Sequence, residues 1–426
     1  MTDTILGPVL LGLLVCALFS CATGPRVSVR GTLHHSSDLG WTAGQDVTEQ
    51  FGSVFTDRII KPGDGLVLDH TYRISGTHEL PDDITISATK GAGFEVTDAT
   101  PDRNATFLVL GDRNLLHNLT ITYLDTPKPG PEAGTNPTRG EHFYPLVGIR
   151  ASDVSDVRIE NCRFVGSIGH HIRLINCERP RIVGCQFIGG YWTVYLMGDV
   201  NDAVFRNCVF EQCQGDGIKT GRGPNGTQRA VVENCVFQDC GRDGIDTTGG
   251  WKDSVVRNCI FRRLFSGMDI KSYYERLEHV RSGVSNTRIL IEDCRFTDMK
   301  NCITFSTIDR GVKDHGKHFL TARTAPRYAP HDVDIVDCIF ERTGEAPVTM
   351  LLMKGGHTIR YRNARFLGEG VQTVRYINVF EGFGPGTMSK EAADALNYGV
   401  TGTLGQSGTA GQPGETSVPF DYGPRG

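Results

Sequence analysis

The sequence predicts an all-β solenoid, a parallel β-helix, and three observations lead to it. A Cys-x-Phe signature recurs in VRIENCRF, PRIVGCQF, AVFRNCVF, AVVENCVF, SVVRNCIF, ILIEDCRF and VDIVDCIF, and TIRYRNARF closes the series with alanine in the cysteine position. The signature cysteines, Cys162, Cys185, Cys208, Cys235, Cys259, Cys294 and Cys338, lie 23, 23, 27, 24, 35 and 44 residues apart. Self-similarity at such a period marks a solenoid whose units bury their apolar faces against one another. Each unit holds alternating short strands and no helix-length segment, which excludes helical and leucine-rich repeats. The 52 glycines among 426 residues, set between runs of polar-apolar alternation, point the same way.

Taken in order, residues 1–25 stand apart. Ile5 to Phe19 is almost wholly apolar and reads as an export signal. Its end, Leu18-Phe19-Ser20-Cys21-Ala22, resembles a bacterial lipobox, which implies a lipid anchor on Cys21 and a cell-surface or outer-membrane lipoprotein. No Lys or Arg precedes the apolar run and Phe19 is bulky for its place, so a secreted or periplasmic protein and an uncleaved anchor stay open. Residues 63–88 read as short strands between Gly, Pro and Asp turns that start and cap a stack. Residues 107–125 form a first recognisable coil, and a Pro-rich insertion follows from Thr126 to His142. Longer insertions at 273–287 and 309–332 carry His279, His315 and His318. The β-helix is expected over 45–382, and residues 383–426 supply one short helix, SKEAADALN, and a Gly, Thr and Pro-rich tail.

The net charge of -5 excludes a nucleic-acid or polybasic membrane footprint. Thirteen cysteines in an exported chain would ordinarily mean disulfides. Seven of them share one repeat position, so they are expected to stack in the core as small apolar side chains. No CxxC pair supports a metal site. No GxSxG, P-loop or HExxH pattern occurs.

This repeat pattern resembles the right-handed parallel β-helix of the pectate-lyase-like superfamily. The resemblance implies three strands and three turns per coil, with Val231–Glu233 as a second strand, Asn234 as a tight turn and the third strand beginning at Cys235. Asn161, Asn207, Asn234 and Asn258 would then form an internal ladder, continued by Asp293, Asp337 and Asn363, that satisfies turn backbone groups.

Aligning the first strand of each coil on its buried aliphatic residue gives Ile149, Ile172, Val194, Ile218, Ile245, Ile270, Ile303 and Val348. Side chains alternate along a strand, so the next residues point outward: Arg150, Arg173, Tyr195, Lys219, Asp246, Lys271, Thr304 and Thr349. The residues before them, among them His171, Gly217, Gly244 and Asp269, are expected outward too. Such a strip suits an acidic polysaccharide, a polyuronate such as pectate or alginate. Arg150 and Arg173 are subsite residues because guanidinium binds carboxylate with two parallel hydrogen bonds. Tyr195 adds an aromatic surface, and His171 with Tyr195 is an alternative acid-base pair.

Asp216, Asp243, Asp246 and Asp269 gather at one level. Two readings stay open there: a calcium ion joins them, or Lys219, Lys271 and Arg242 neutralise them directly. GRDGID resembles the DDGFD-type calcium motif of polysaccharide lyase family 9, with Asp243 and Asp246 matching its last two acids and Arg242 replacing the first. That resemblance implies β-elimination, with Lys271 or Lys219 taking the C5 proton of a uronate and Arg173 helping to neutralise its carboxylate. A carboxylate about 4.8 Å from a lysine holds the proton on by roughly 3.5 kcal/mol at an effective dielectric near 20, so a lysine base needs the metal. A uronate C5-epimerase, a glycoside hydrolase using Asp243, Asp246 and Asp269, and a non-catalytic carbohydrate-binding surface protein are the alternatives.

Overall fold

The computed structural model describes residues 29–97, 106–124, 126, 146–221, 223, 225–248, 250–274, 286–309, 318–319, 330–344, 348–354, 356–368, 371–376 and 397–404. The apolar leader with Cys21, nearly all of the Pro-rich insertion, the SKEAADALN segment before Asn397 and the tail beyond Leu404 lie outside the described residues. Among the described residues, no helix is long and apolar enough to cross a membrane.

The chain winds as a parallel β-helix. A complete coil contributes three strands, for example Asp243–Thr248, Trp251–Arg257 and Ile260–Arg262. Each strand pairs in parallel with its counterparts one coil before and one coil after, as Val236–Gln238 does with Val209–Glu211 and Ile260–Arg262. One sheet, built from the first strand of every coil, runs from His78–Glu79 through Asp243–Thr248 to Val371–Tyr376. Pairing extends past the expected limits of 45 and 382, since Leu33–His35 joins Gly65–Leu68 and Asn397–Leu404 joins Gly356–Leu367.

In-register stacking fills the core. Phe164, Phe187, Phe210, Phe237, Phe261, Phe296 and Phe340 form a column with successive ring centroids 4.7 to 5.2 Å apart and nearly parallel planes. The signature cysteines form a second buried column, and all eleven described cysteines are free thiols. Their sulfurs reach carbonyls of the coil before, as Cys208 Sγ does to Ile182 at 3.4 Å. Burial pushes the Cys185 and Cys235 thiols up, so they behave as small apolar groups. The helix Thr48–Thr56 closes one end by burying Phe51, Val54 and Phe55 near Trp41 and Phe94.

Corners are made by residues in the left-handed region, which Asn and Asp tolerate better than other non-glycine residues. Asn161, Asn207, Asn234, Asn258, Asp293, Asp337 and Asn363 all have φ between 51° and 56°. The ladder exists, with Asn258 Nδ2 donating to Asn234 Oδ1 at 2.6 Å, but it is not internal. Asn161, Asn207, Asn234, Asn258 and Asp293 are exposed, because the following residue, the cysteine, takes the inward place at this corner.

A second left-handed corner carries alternating charge: Asp83, Arg113, Asp156, Arg179, Asp202, Arg229, Asp253 and Arg288. Each arginine grips the aspartate one coil earlier with two hydrogen bonds, as Arg179 does Asp156 at 2.8 and 2.8 Å. Stacked like charges would repel, so strict alternation turns a column of repulsion into one of attraction.

Removing one ring from the phenylalanine column should be costly. Phe237→Ala is expected to lower the unfolding free energy by about 3–5 kcal/mol in denaturant titration, and a thiol reagent should label the described cysteines only after unfolding.

Candidate functional site

Register places the candidate residues. Ile149, Ile172, Val194, Ile218, Ile245, Met268, Ile303 and Leu351 are paired coil to coil. Two members differ from expectation, Met268 standing where Ile270 was placed and Leu351 where Val348 was. Met268 and Ile270 are both fully buried, so hydrophobicity does not choose between them. The outward column therefore reads Arg150, Arg173, Tyr195, Lys219, Asp246, Asp269 and Thr304. Lys271 pairs with Thr248 instead of following Asp246, and its ammonium reaches back to Asp246 at 2.9 Å and Asp269 at 2.7 Å.

The preceding column is corrected except at Asp269, which the register moves into the outward column. A Cβ added to Gly217, Gly244 or Gly267 would meet the ring of Phe237, Phe261 or Phe296 at 2.8, 2.7 and 2.6 Å, so these positions face the core. Strict alternation breaks at the strand entrance, which puts Asp216 on the same side as Lys219, three residues on.

His171 follows the same rule. It is fully buried among Tyr123, Phe164 and Phe187, with ring centroids 5.6 to 6.1 Å away, and burial lowers its pKa to about 3. It is a neutral core residue, neither a substrate contact nor an acid-base partner of Tyr195. The histidine beside Tyr195 is His170, whose ring stacks on Tyr195 at 5.0 Å and on Trp192 at 5.6 Å. Trp192 was missed in the sequence; its signal was the register match of YWTVY to QGDGIKT, which sets Trp192 against Asp216.

Asp216, Asp243 and Asp246 each present a carboxylate oxygen within 4.8 Å of the others, and all three are buried. Lys219 is ion-paired with Asp246 and lies 3.3 Å from Asp216. Arg242 Nε lies 3.8 Å from Asp216. The Thr248 hydroxyl donates to Asp246 Oδ1 at 3.1 Å, and the Asp243 backbone N–H donates to Asp216 Oδ1 at 3.3 Å. Asp269, 18% exposed, holds Lys271 through Oδ2, while its Oδ1 is buried without a hydrogen-bond donor among the described residues.

The two central carboxyls are driven apart. Burial pushes Asp246 up, but Lys219 and Lys271 outweigh it and hold this carboxyl well below the usual range. Burial, with the charges of Asp216 and Asp269, pushes Asp243 well above it. Burial works against the Lys219 ammonium, yet Asp246 and Asp216 keep its pKa above the ordinary lysine value. Asp216 raises Arg242.

Calcium takes six to eight oxygen ligands. Asp216, Asp243 and Asp246 are close enough to share an ion, but Lys219 and Lys271 already occupy Asp246, and Arg242 borders Asp216. A divalent ion would enter among three cations, so the donor set as arranged does not fit calcium.

Residues 147–368 match the family described as the right handed beta helix region, and the chain belongs to that family. Several solved structures share the fold. The catalytic domain of a GH87 alpha-1,3-glucanase in complex with nigerose is 10% identical, with a TM-score of 0.53, 84% of this chain and 67% of that chain being covered. PfbA, a surface adhesin of Streptococcus pneumoniae, is 11% identical with a TM-score of 0.52, covering 84% and 91%. The A-module of the Azotobacter vinelandii mannuronan C-5 epimerase AlgE6 is 10% identical with a TM-score of 0.51, covering 88% and 100%. Comparison with curated protein sequences finds no significant match. The likeness of GRDGID to the lyase family 9 motif is weak, since Arg242 holds Asp216 where that motif has an acid.

Asp246 is the counter-charge for two buried ammoniums. Asp246→Asn is expected to cost about 3–5 kcal/mol in chemical unfolding, and adding Lys219→Met should restore part of it. The pH dependence has two opposed parts. The Asp246 contribution is present above the ordinary carboxylate range and lost as pH falls through its depressed pKa. Asp243, with its raised pKa, weakens the fold increasingly as pH rises from the ordinary carboxylate value to its own.

Proposed function

We propose that this protein hydrolyses glycosidic bonds in a polysaccharide laid along the first-strand sheet. The observation that carries the reading is the buried cluster of Asp216, Asp243 and Asp246, with oxygens within 4.8 Å of one another. In it burial and the neighbouring acids push Asp243 toward its acid form while Lys219 and Lys271 hold Asp246 ionised, so that a proton donor stands among carboxylates. Asp243, protonated, gives its proton to the glycosidic oxygen as the bond to the anomeric carbon breaks. Asp269, whose side chain is 18% exposed, takes a proton from the water that attacks that carbon. Asp246, saturated by two ammoniums and a hydroxyl, fixes Lys219 and Lys271 in place and takes no proton itself. Trp192 and Tyr195, half-buried and braced by the buried His170 ring stacked on both, offer rings for sugars to lie against. The neighbours named for alpha-1,3-glucanase and mannuronan epimerase activity accord with a glycan ligand. A polymeric substrate also accords with reading the apolar run Ile5 to Phe19 as an export signal, which would place the protein at the cell surface or beyond it.

The competing chemistry is β-elimination from a uronate, favoured by the two lysines at the cluster. It requires one of them uncharged, and Asp246 and Asp216 oppose that at Lys219.

One incubation separates them. Neutral and acidic glycans are treated with the full chain, with and without chelator, and followed for reducing ends and for the ultraviolet absorbance of unsaturated uronate. New reducing ends without absorbance, insensitive to chelator, are expected. Asp243→Asn should lower kcat by about 10²–10⁴-fold, and activity should fall as pH rises through the raised Asp243 pKa. Absorbance that depends on Lys271 or Lys219 would replace hydrolysis with elimination. Altered uronate without cleavage would indicate an epimerase, and binding alone an adhesin-like surface protein.

A further inference from the structure

We infer that the polymer carries a carboxylate bound at Arg150 and Arg173, on a sugar remote from the bond that is cut, so that the substrate is a mixed acidic and neutral polysaccharide and not a homopolyuronate. This rests on the reading of the Asp243 cluster as the cleavage site.

Along the second left-handed corner each arginine faces an aspartate one coil away. Arg150 instead pairs in register with Arg173, cation against cation. Among the described residues Arg150 makes no ion pair, and its Nε is buried without an acceptor. Burial lowers the Arg173 pKa, and the charge of Arg150 lowers it further. Two guanidiniums side by side, one with a buried donor unused, are relieved by an anion. A flat carboxylate matches their fork of N–H donors.

The cleavage level has the opposite character. Lys219, Lys271 and Arg242 there are each engaged by carboxylates of the cluster. With Asp243 in its acid form, the three remaining carboxylates, Asp216, Asp246 and Asp269, cancel those three cations, so an anionic sugar at the scissile position finds no cation left for it. The strand of Arg173 is separated from that of Asp246 by the strands of Tyr195 and Lys219, three coil spacings or about 14 Å. The half-buried rings of Trp192 and Tyr195 fill part of that interval, and the Lys219 ammonium sits 5.2 Å from the Trp192 ring. Aromatic faces suit the C–H faces of uncharged pyranoses.

The test measures binding by calorimetry to the full chain carrying Asp243→Asn. The probes are oligosaccharides alternating glucuronate with a neutral sugar, the same oligosaccharides after carboxyl reduction, oligogalacturonate, and sulfated oligosaccharides. The alternating uronate should bind most tightly. Arg150→Gln should weaken it roughly tenfold or more without changing the carboxyl-reduced form, and Arg150→Lys should recover only part. Circular dichroism checks that each variant is folded, and Arg173→Gln repeats the comparison. In the wild-type digest the new reducing end should be a neutral sugar. Equal affinity for reduced and unreduced probes, preference for the sulfated or homopolymeric probe, no binding of any uronate, or cleavage at the uronate would each overturn the inference. The two readings fail separately. Uronate-containing glycans cut equally well by wild type and Arg150→Gln would leave hydrolysis standing without the anion subsite; Arg150-dependent binding without cleavage would leave the subsite standing without hydrolysis.

Discussion

The stacked phenylalanine column is the constraint on which the site depends. Rings held 4.7 to 5.2 Å apart fix the coils in register, and that register decides which polar residues meet outside. Phe237, Phe261 and Phe296 also press against Gly217, Gly244 and Gly267, which leaves no room for a side chain at the strand entrance. Alternation breaks there, so Asp216 turns to the face of Lys219, and Asp243 to the face of Asp246. Core packing thus builds the acidic cluster: a bulkier residue at Gly244 would strike the Phe261 ring and disturb Asp243 and Asp246 together.

The same solenoid uses charge in two physically different ways. On the exposed corner, aspartates and arginines alternate coil by coil; each solvated pair contributes little by itself, and the benefit lies in avoiding a column of like charge. Inside the first-strand face the charges are desolvated, and each strongly shifts its neighbours. Lys219 and Lys271 stabilise the ionised form of Asp246, while the ionised acids around Asp243 make a further negative charge there costly. One carboxyl is thereby kept as an anion and the next as an acid.

Much of this was legible in the sequence, because a solenoid repeats its packing signature in every coil. The Cys-x-Phe period gave the coil boundaries, and the outward column was read correctly from Arg150 through Asp246. It failed at the next coil, where Met268 and Ile270 are both apolar and two apart, so the pattern fits two registers. His170 and His171 are adjacent in sequence, and only the break in alternation shows that the first stacks on Trp192 and Tyr195 and the second lies among the core rings. The asparagine ladder was recognised, but its side was not, since the sequence does not show that cysteine takes the inward place at the turn. The Asp/Arg ladder stayed hidden because arginine carries no left-handed signature; stacking on an aspartate holds it there.

The central claim is that Asp243 holds a proton while Asp246 beside it does not. Infrared difference spectroscopy of the carboxyl stretch tests it directly, comparing the full chain with Asp243→Asn across a pH titration. A protonated carboxyl band persisting above about pH 6, two units past the ordinary aspartate value, and missing from the variant is the predicted result. A spectrum in which all carboxyls of the wild type are ionised by that pH, with no difference from the variant, would contradict the account.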